Sequence, residues 1–261
     1  MTKFINDIKK YYKYTIYSAK SELKSEVANS HLSWLWWILD PLLFMLVYTF
    51  VYTVVFSKQL QYVAVFVFIG LSLWSFFEKT LKNSVKLVTS NSSIVSKVYI
   101  PKYMLIFVKM GVNGFKMFIS FALVILLMGY YRVPVNPLLL IYVIPIFITL
   151  FLLTFGFSTL LLHFGVFVED LSNVINVALK MVFYFSGVFY SIQTNLPENI
   201  SKLVMTYNPL ALLMMDMRNV LLYSTTPHIK LILIWFLVGL VLSILGVRTI
   251  YKYENSYIKV I

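Results

Sequence analysis

Residues 33–56 form an apolar run whose one charge is Asp40. At about 1.5 Å per residue, a helix of that length crosses a hydrocarbon layer of about 30 Å. Backbone in such a layer must satisfy its own hydrogen bonds, so the run commits the chain to a helical membrane fold. It opens on Trp34, Trp36 and Trp37 and carries Asp40-Pro41 in its first turns. The indoles are expected to anchor the helix at an interface and Asp40 to favour its N-terminal dipole. Pro41 is expected early in the helix, where a missing N–H costs least. Of the 261 residues, 60% are hydrophobic and 12% charged, against about 25% charged in soluble domains. The apolar stretches are long and continuous rather than alternating segments of about ten residues, which favours an all-α integral membrane protein over a β-barrel.

Six spans are predicted at residues 34–56, 62–77, 103–128, 138–168, 174–192 and 229–250, within a single transmembrane domain covering 1–261. The fourth is long enough to include a kink near Pro145. Residues 1–30 read as an amphipathic helix at the membrane interface, the alternative being a solvated leader. Ile5, Ile8, Tyr12, Ile16, Ala19 and Leu23 recur at three- and four-residue steps, while Lys9, Lys13, Lys20 and Lys24 fall on another face. No cleavable signal peptide is expected ahead of the first span. Residues 193–227 alternate polar breaks with apolar pieces too short to span. Short helices at 196–205 and 210–222, separated by Asn208-Pro209, read as re-entrant outer gate elements.

The formal net charge of +12 is explained by topology rather than by nucleic acid. The N-terminal lysines, Lys79, Lys82, Lys86, Lys97 and Lys102, and then Arg248, Lys252 and Lys259 collect on one side, while Lys58, Arg132, Lys202, Arg218 and Lys230 fall on the other. The positive-inside rule therefore puts both termini in the cytoplasm.

Lys109, Asn113 and Lys116 share one helical face and are expected to look toward protein or water, although Lys109 is close enough to the span's start to snorkel. Aromatics make up 18% of the chain. Tyr184, Phe185, Phe189 and Tyr190 can belong to an interfacial belt or line a pathway in which rings stack on sugar faces. Arg218 is expected to pair with an acid or a helix end, Asp216 being too close in sequence to face it. Asp40, Glu78, Glu169, Asp170, Asp216 and Glu254 read as scattered acids at span ends and loops. The chain has no cysteine, three histidines far apart, no phosphate-binding loop, no Gly-x-Ser-x-Gly elbow and no clear carboxylate pair. From these absences the chain is expected not to hydrolyse nucleotide itself and to bind no metal or cofactor of its own.

Several motifs then occur in order. They are Leu32-Ser33-Trp34-Leu35-Trp36-Trp37-Ile38-Leu39-Asp40-Pro41-Leu42-Leu43, Lys97-Val98-Tyr99-Ile100-Pro101-Lys102, Glu169-Asp170-Leu171, Phe185-Ser186-Gly187-Val188-Phe189-Tyr190, and Asn208-Pro209 with Arg218. Together they resemble the polysaccharide-exporting type-2 ABC permeases, which move O-antigens, teichoic acids and related glycans. The resemblance covers nearly the whole chain. It departs at Glu26-Val27-Ala28-Asn29 and Leu32-Ser33, where a basic, aromatic run and Leu-Gly are common, and at Glu169, where Arg is frequent.

The resemblance implies a transport subunit rather than an enzyme, a six-helix exporter domain that forms a homodimer in the bacterial cytoplasmic (inner) membrane. Each copy would pair with a separate ATPase subunit that holds ATP and Mg. Lys86, Lys97, Glu169 and Asp170 would meet the ATPase, and Asn208, Pro209 and Arg218 would belong to the outer gate. Lys20, Lys24, His31 and Trp34 would stand where the pyrophosphate of a polyprenyl-linked polysaccharide enters. Lys109, Asn113, Lys116, Tyr184, Phe185, Phe189 and Tyr190 would line the channel. A type-2 permease for a small drug or lipid is the alternative within transport, and a membrane glycolipid-modifying enzyme the alternative outside it.

Overall fold

A computed structural model describes residues 2–28, 33–55 and 60–260. In order, the helices are α1 (Thr2–Ala28), α2 (Ser33–Phe50), α3 (Val63–Val85), α4 (Leu87–Ser90), α5 (Ser92–Val95), α6 (Lys102–Tyr130), α7 (Val143–Phe167), α8 (Leu171–Phe185), α9 (Ile192–Asn195), α10 (Glu198–Tyr207), α11 (Pro209–Leu221) and α12 (Ile229–Val260). A π-helical segment, Val51–Val55, prolongs α2, and a 3₁₀ turn, Pro137–Tyr142, leads into α7. Among the described residues, five helical stretches are long and apolar enough to cross a membrane: Trp34–Val55, Val63–Val85, Lys102–Tyr130, Pro137–Phe167 and Ile229–Tyr257.

Where a sixth full span is predicted at 174–192, the structure has the 15-residue α8, about 22 Å long at 1.5 Å per residue. Gly187, at φ 62, then turns the chain back into the short helices. Span two, expected to end at residue 77, continues as α3 through Glu78, Lys79 and Lys82 to Val85. Hydropathy falls at Glu78, but the helix persists because Lys82 bonds Glu78 across one turn at 2.6 Å. The last helix likewise runs past residue 250 to Val260. Pro41 is not in the first turn of its helix: it lies well inside α2 and removes one rung from its ladder. Pro145 is the third residue of α7, so the bend expected there is the passage from 3₁₀ turn to α-helix.

At the centre, α3 is buried along most of its length, packing against α2, α6, α7, α8 and α11. Glycines seat α12 on α7. A side chain at Gly156 would meet Leu242, and one at Gly246 would run into Thr159, the small-residue contact by which membrane helices approach closely.

The stripe of α1 that faces protein is Phe4, Asp7, Tyr11, Thr15, Ala19, Glu22 and Glu26, three or four residues apart and laid along α6. Phe4 packs on the Tyr103 ring, Thr15 reaches Met104, and Ala19 lies against Gly111. Of the stripe predicted from apolar residues alone, Ile8 is packed against the core, whereas Ile5, Tyr12 and Ile16 are half exposed. Ala19 falls in both stripes, while Asp7, Thr15 and Glu22 take contacts one position before the apolar residues Ile8, Ile16 and Leu23.

Both described chain ends lie at one end of the bundle. The Asp7 carboxylate accepts from the Tyr103 and Tyr251 hydroxyls. Nearby, Tyr99 donates to Glu254, and burial, then Glu254, pushes the Tyr99 hydroxyl up to about 12. The opposite end is closed by Tyr62 against Tyr131 and by Ser224 donating to the Pro134 carbonyl.

Candidate functional site

A cavity of about 830 Å³ opens between α2, α3, α6 and α8. From α6 come Asn113, Lys116, Met117 and Ser120, spaced for one helical face. Facing them, α3 supplies Ser72, Trp74, Ser75, Glu78 and Lys79. The stretch from Trp36 to Tyr48 forms a third wall through Trp36, Trp37, Asp40 and Phe44, and α8 adds Lys180, Phe183 and Tyr184. Glu26, on the last turn of α1, reaches the rim.

Of the charged residues lining the cavity, Glu26, Glu78 and Lys116 are paired. Glu26 takes Lys116 at 2.7 Å and the Trp37 indole N–H at 3.1 Å. Glu78 accepts from the Trp74 indole at 2.7 Å and from Lys82 at 2.6 Å. Asn113 is buried, its amide donating to the Thr80 hydroxyl at 3.1 Å. Aromatic rings line the cavity's far end. Tyr48 stacks on Phe189 at 5.1 Å and meets Phe183 at 5.7 Å, while Trp74 meets Phe183 edge-on at 5.4 Å.

Of the residues predicted to line a channel, the cavity thus unites Asn113, Lys116 and Tyr184. Lys109 does not line it, being bonded to Glu22 of α1 at 2.6 Å. Phe189 and Tyr190 sit behind the aromatic wall, the Tyr190 hydroxyl donating to the Tyr184 carbonyl at 2.7 Å. Phe185 is exposed on the outside of α8. Trp34 and, on α1, Lys20 and Lys24 are exposed and outside the lining; His31 lies outside the described residues.

Sequence reasoning passed over Asp40, Glu78, Lys79 and Lys180. Glu78, expected just past the end of the second span, stands inside α3 facing the cavity. For Lys180 the signal was present: a single lysine in an otherwise apolar segment, a type of residue that membranes tolerate only where it meets protein or water.

The end holding the termini presents Lys86, Lys97, Glu169 and Asp170, all exposed. α4 packs there on α6 and α7, and Gly165 of α7 approaches so closely that any side chain would strike the Val85 carbonyl.

At the opposite end Asn208 caps α11, its Oδ1 accepting from the N–H groups of Leu210 and Ala211 while its amide donates to Ser186. Pro209 takes the first helical position, which needs no N–H partner. Arg218 is fully buried and has no carboxylate partner among the described residues. Its Nε donates to the Phe66 carbonyl at 3.0 Å, Nη1 to Gly187 at 2.9 Å and Nη2 to Val188 at 2.6 Å, with the guanidinium 3.6 Å from the Phe66 ring centre. Of the two partners expected for it, the structure supplies the helix end, just past α8. Asp216 instead receives the backbone N–H of His228 at 3.0 Å and faces its Nδ1 at 2.7 Å, tying α11 to the start of α12. Burial pushes the Asp216 carboxyl up, and the bonds from His228 oppose that shift.

An all-helical, multi-pass membrane protein with a charged and aromatic cavity among its spans is the class defined here. No family model matches the chain. It is similar to two proteins named O-antigen export system permease protein RfbA from Klebsiella pneumoniae, 24% and 25% identical over 241 residues, or 92% of this chain and of each relative. A protein of the same name from Myxococcus xanthus is 26% identical over 215 residues, 82% of each. The likeness to polysaccharide-export permeases drawn from the motifs is borne out by these relatives. Their names are those of transport components rather than enzymes, in keeping with the reading of this chain as a transport subunit.

Proposed function

We propose that this chain is the permease subunit of an ABC exporter that moves a lipid-linked polysaccharide, such as an O-antigen or teichoic acid, across the bacterial cytoplasmic membrane. Both termini are cytoplasmic in this reading, and two copies assemble around the translocation path. A separate ATPase binds ATP and Mg and presses on the surface carrying Lys86, Lys97, Glu169 and Asp170. The observation that carries the proposal is the cavity walled by Trp36, Trp37, Tyr48, Trp74, Phe183 and Tyr184, since flat rings hold sugar faces by area and allow them to slide. The resemblance to O-antigen export permeases over most of the chain supports the same reading. Arg218, Asn208 and Pro209 hold the outer cap above that cavity.

The test is reconstitution in proteoliposomes with the partner ATPase. ATP turnover should rise when a polyprenyl-linked glycan is supplied and stay at its basal rate with the glycan-free lipid carrier. Turnover indifferent to glycan but raised by a small amphiphile would favour the drug or lipid permease instead.

A further inference from the structure

Lys180 is one of three charged residues of the cavity wall, with Asp40 and Lys79, that form no ion pair among the described residues. It lies nine residues into α8, so its Cα is about 13 Å along the helix axis from Leu171 at 1.5 Å per residue. It is exposed toward the cavity it lines, and among the described residues its ammonium has no hydrogen bond or ion pair. Two of the three lining carboxylates are committed: Glu26 to Lys116 and the Trp37 indole, Glu78 to Lys82 and the Trp74 indole. Asp40 is the one lining acid with no partner among the described residues, and Lys79 is likewise an unpaired cation. A free ammonium at membrane depth is costly to keep unless water or an anion meets it. Phe183 and Tyr184 follow at three and four residues, on the same face of α8.

We propose that Lys180 is the anion-binding residue of the cavity and that the exported cargo carries a phosphate or carboxylate which it holds while the adjoining rings pack on the neighbouring sugar or lipid. This rests on the export reading above and adds to it a residue that holds the cargo's negative group. A lysine suits the task because a compact ammonium is a point charge without a fixed fork geometry, so it can pass from one anion to the next as the cargo slides. The negative group has two possible sources: the diphosphate that joins glycan to lipid, or acidic groups along the glycan.

Purified permease in nanodiscs of zwitterionic lipid reports binding through Trp36, Trp37 and Trp74. Four probes are titrated while tryptophan emission is followed: polyprenyl diphosphate, the matching polyprenol, an oligouronate, and a neutral oligosaccharide of equal length. The expected result is quenching by at least one anionic probe at concentrations where its neutral counterpart gives none, weakening as salt rises. Lys180→Gln should lower that affinity about tenfold, Lys180→Arg should restore most of it, and Lys202→Gln on the distant α10 should change nothing.

A response confined to polyprenyl diphosphate assigns the site to the lipid end, and one confined to oligouronate assigns it to the sugar chain. Equal binding of charged and neutral probes, or a Lys180→Gln protein that melts as wild type and binds as wild type, overturns the proposal. Because ATP turnover stimulated by the polyprenyl-linked glycan is measured separately, the export function can survive that outcome.

Discussion

Arg218 combines complete burial with three backbone acceptors drawn from two parts of the chain, the first turn of α3 and the loop behind α8. Charge-assisted bonds to otherwise unpaired buried groups contribute about 1.5–3 kcal/mol each. Arg218→Ala is therefore expected to cost about 3 kcal/mol or more, and Arg218→Lys should recover less than half, because an ammonium cannot reproduce the fork. Gly70→Ala tests the same contact without touching the charge, since its Cβ would strike Nη2 of Arg218 and the Val188 carbonyl. Thermal unfolding in detergent should show both single variants destabilised and the double variant well short of their sum, as groups in contact require. Additive losses would mean that the two residues act separately. The sequence made half of this legible: a lone arginine in an apolar segment needs partners, and a helix end was a fair expectation for it. That Gly70 must lack a side chain for the guanidinium to fit depends on residues brought together from about 150 positions apart, which no local pattern records.

Among the elements, α1 was legible as an amphipathic helix but not in its bearing, because its protein-facing stripe ends in Glu22 and Glu26 rather than in apolar residues. Lys109 and Lys116 read as cations awaiting a channel; in the structure each already has a glutamate. These pairs are partly exposed, so removing one cation by Lys109→Ala should cost no more than about 1 kcal/mol. Reversal is more telling. Lys109→Glu should loosen α1 by setting it against Glu22, and the further change Glu22→Lys should restore it, read as hydrogen-exchange protection of α1 amides. Failure of the swap to rescue would show that packing of Phe4, Tyr11 and Ala19 alone holds the helix. The shortness of α8 was illegible for a different reason. Hydropathy continues past Phe185, yet the backbone leaves the helix at Ser186, where Arg218 and Tyr190 take up the carbonyls of Gly187, Val188 and Tyr184 that a longer helix would bond itself.

On the scale of the molecule, the apolar spans, the class of fold and the shared end of the two termini follow from hydropathy and charge, whereas the cavity depends on how four helices are set around α3. α2 is little buried and turns Leu43, Leu46, Val47 and Phe50 outward. In the dimer proposed above that face is the candidate meeting surface. The absence of native cysteine makes the test simple. Val47→Cys should give a crosslinked pair in membranes on mild oxidation, while Leu237→Cys on the outer face of α12 should label with maleimide and stay single. Crosslinking through α12 alone would move the interface to the other side of the bundle.

α3 also has a consequence of its own. Its 23 residues span about 34 Å at 1.5 Å per residue. One end meets Arg218 through Phe66, the middle supplies Trp74 and Glu78 to the cavity, and Lys86 follows its last turn. So stiff a piece acts as a push-rod rather than a cable. A thrust received at Lys86 would reach the cap within the same stroke that shifts the cavity wall, leaving grip and release geared together instead of timed by separate parts.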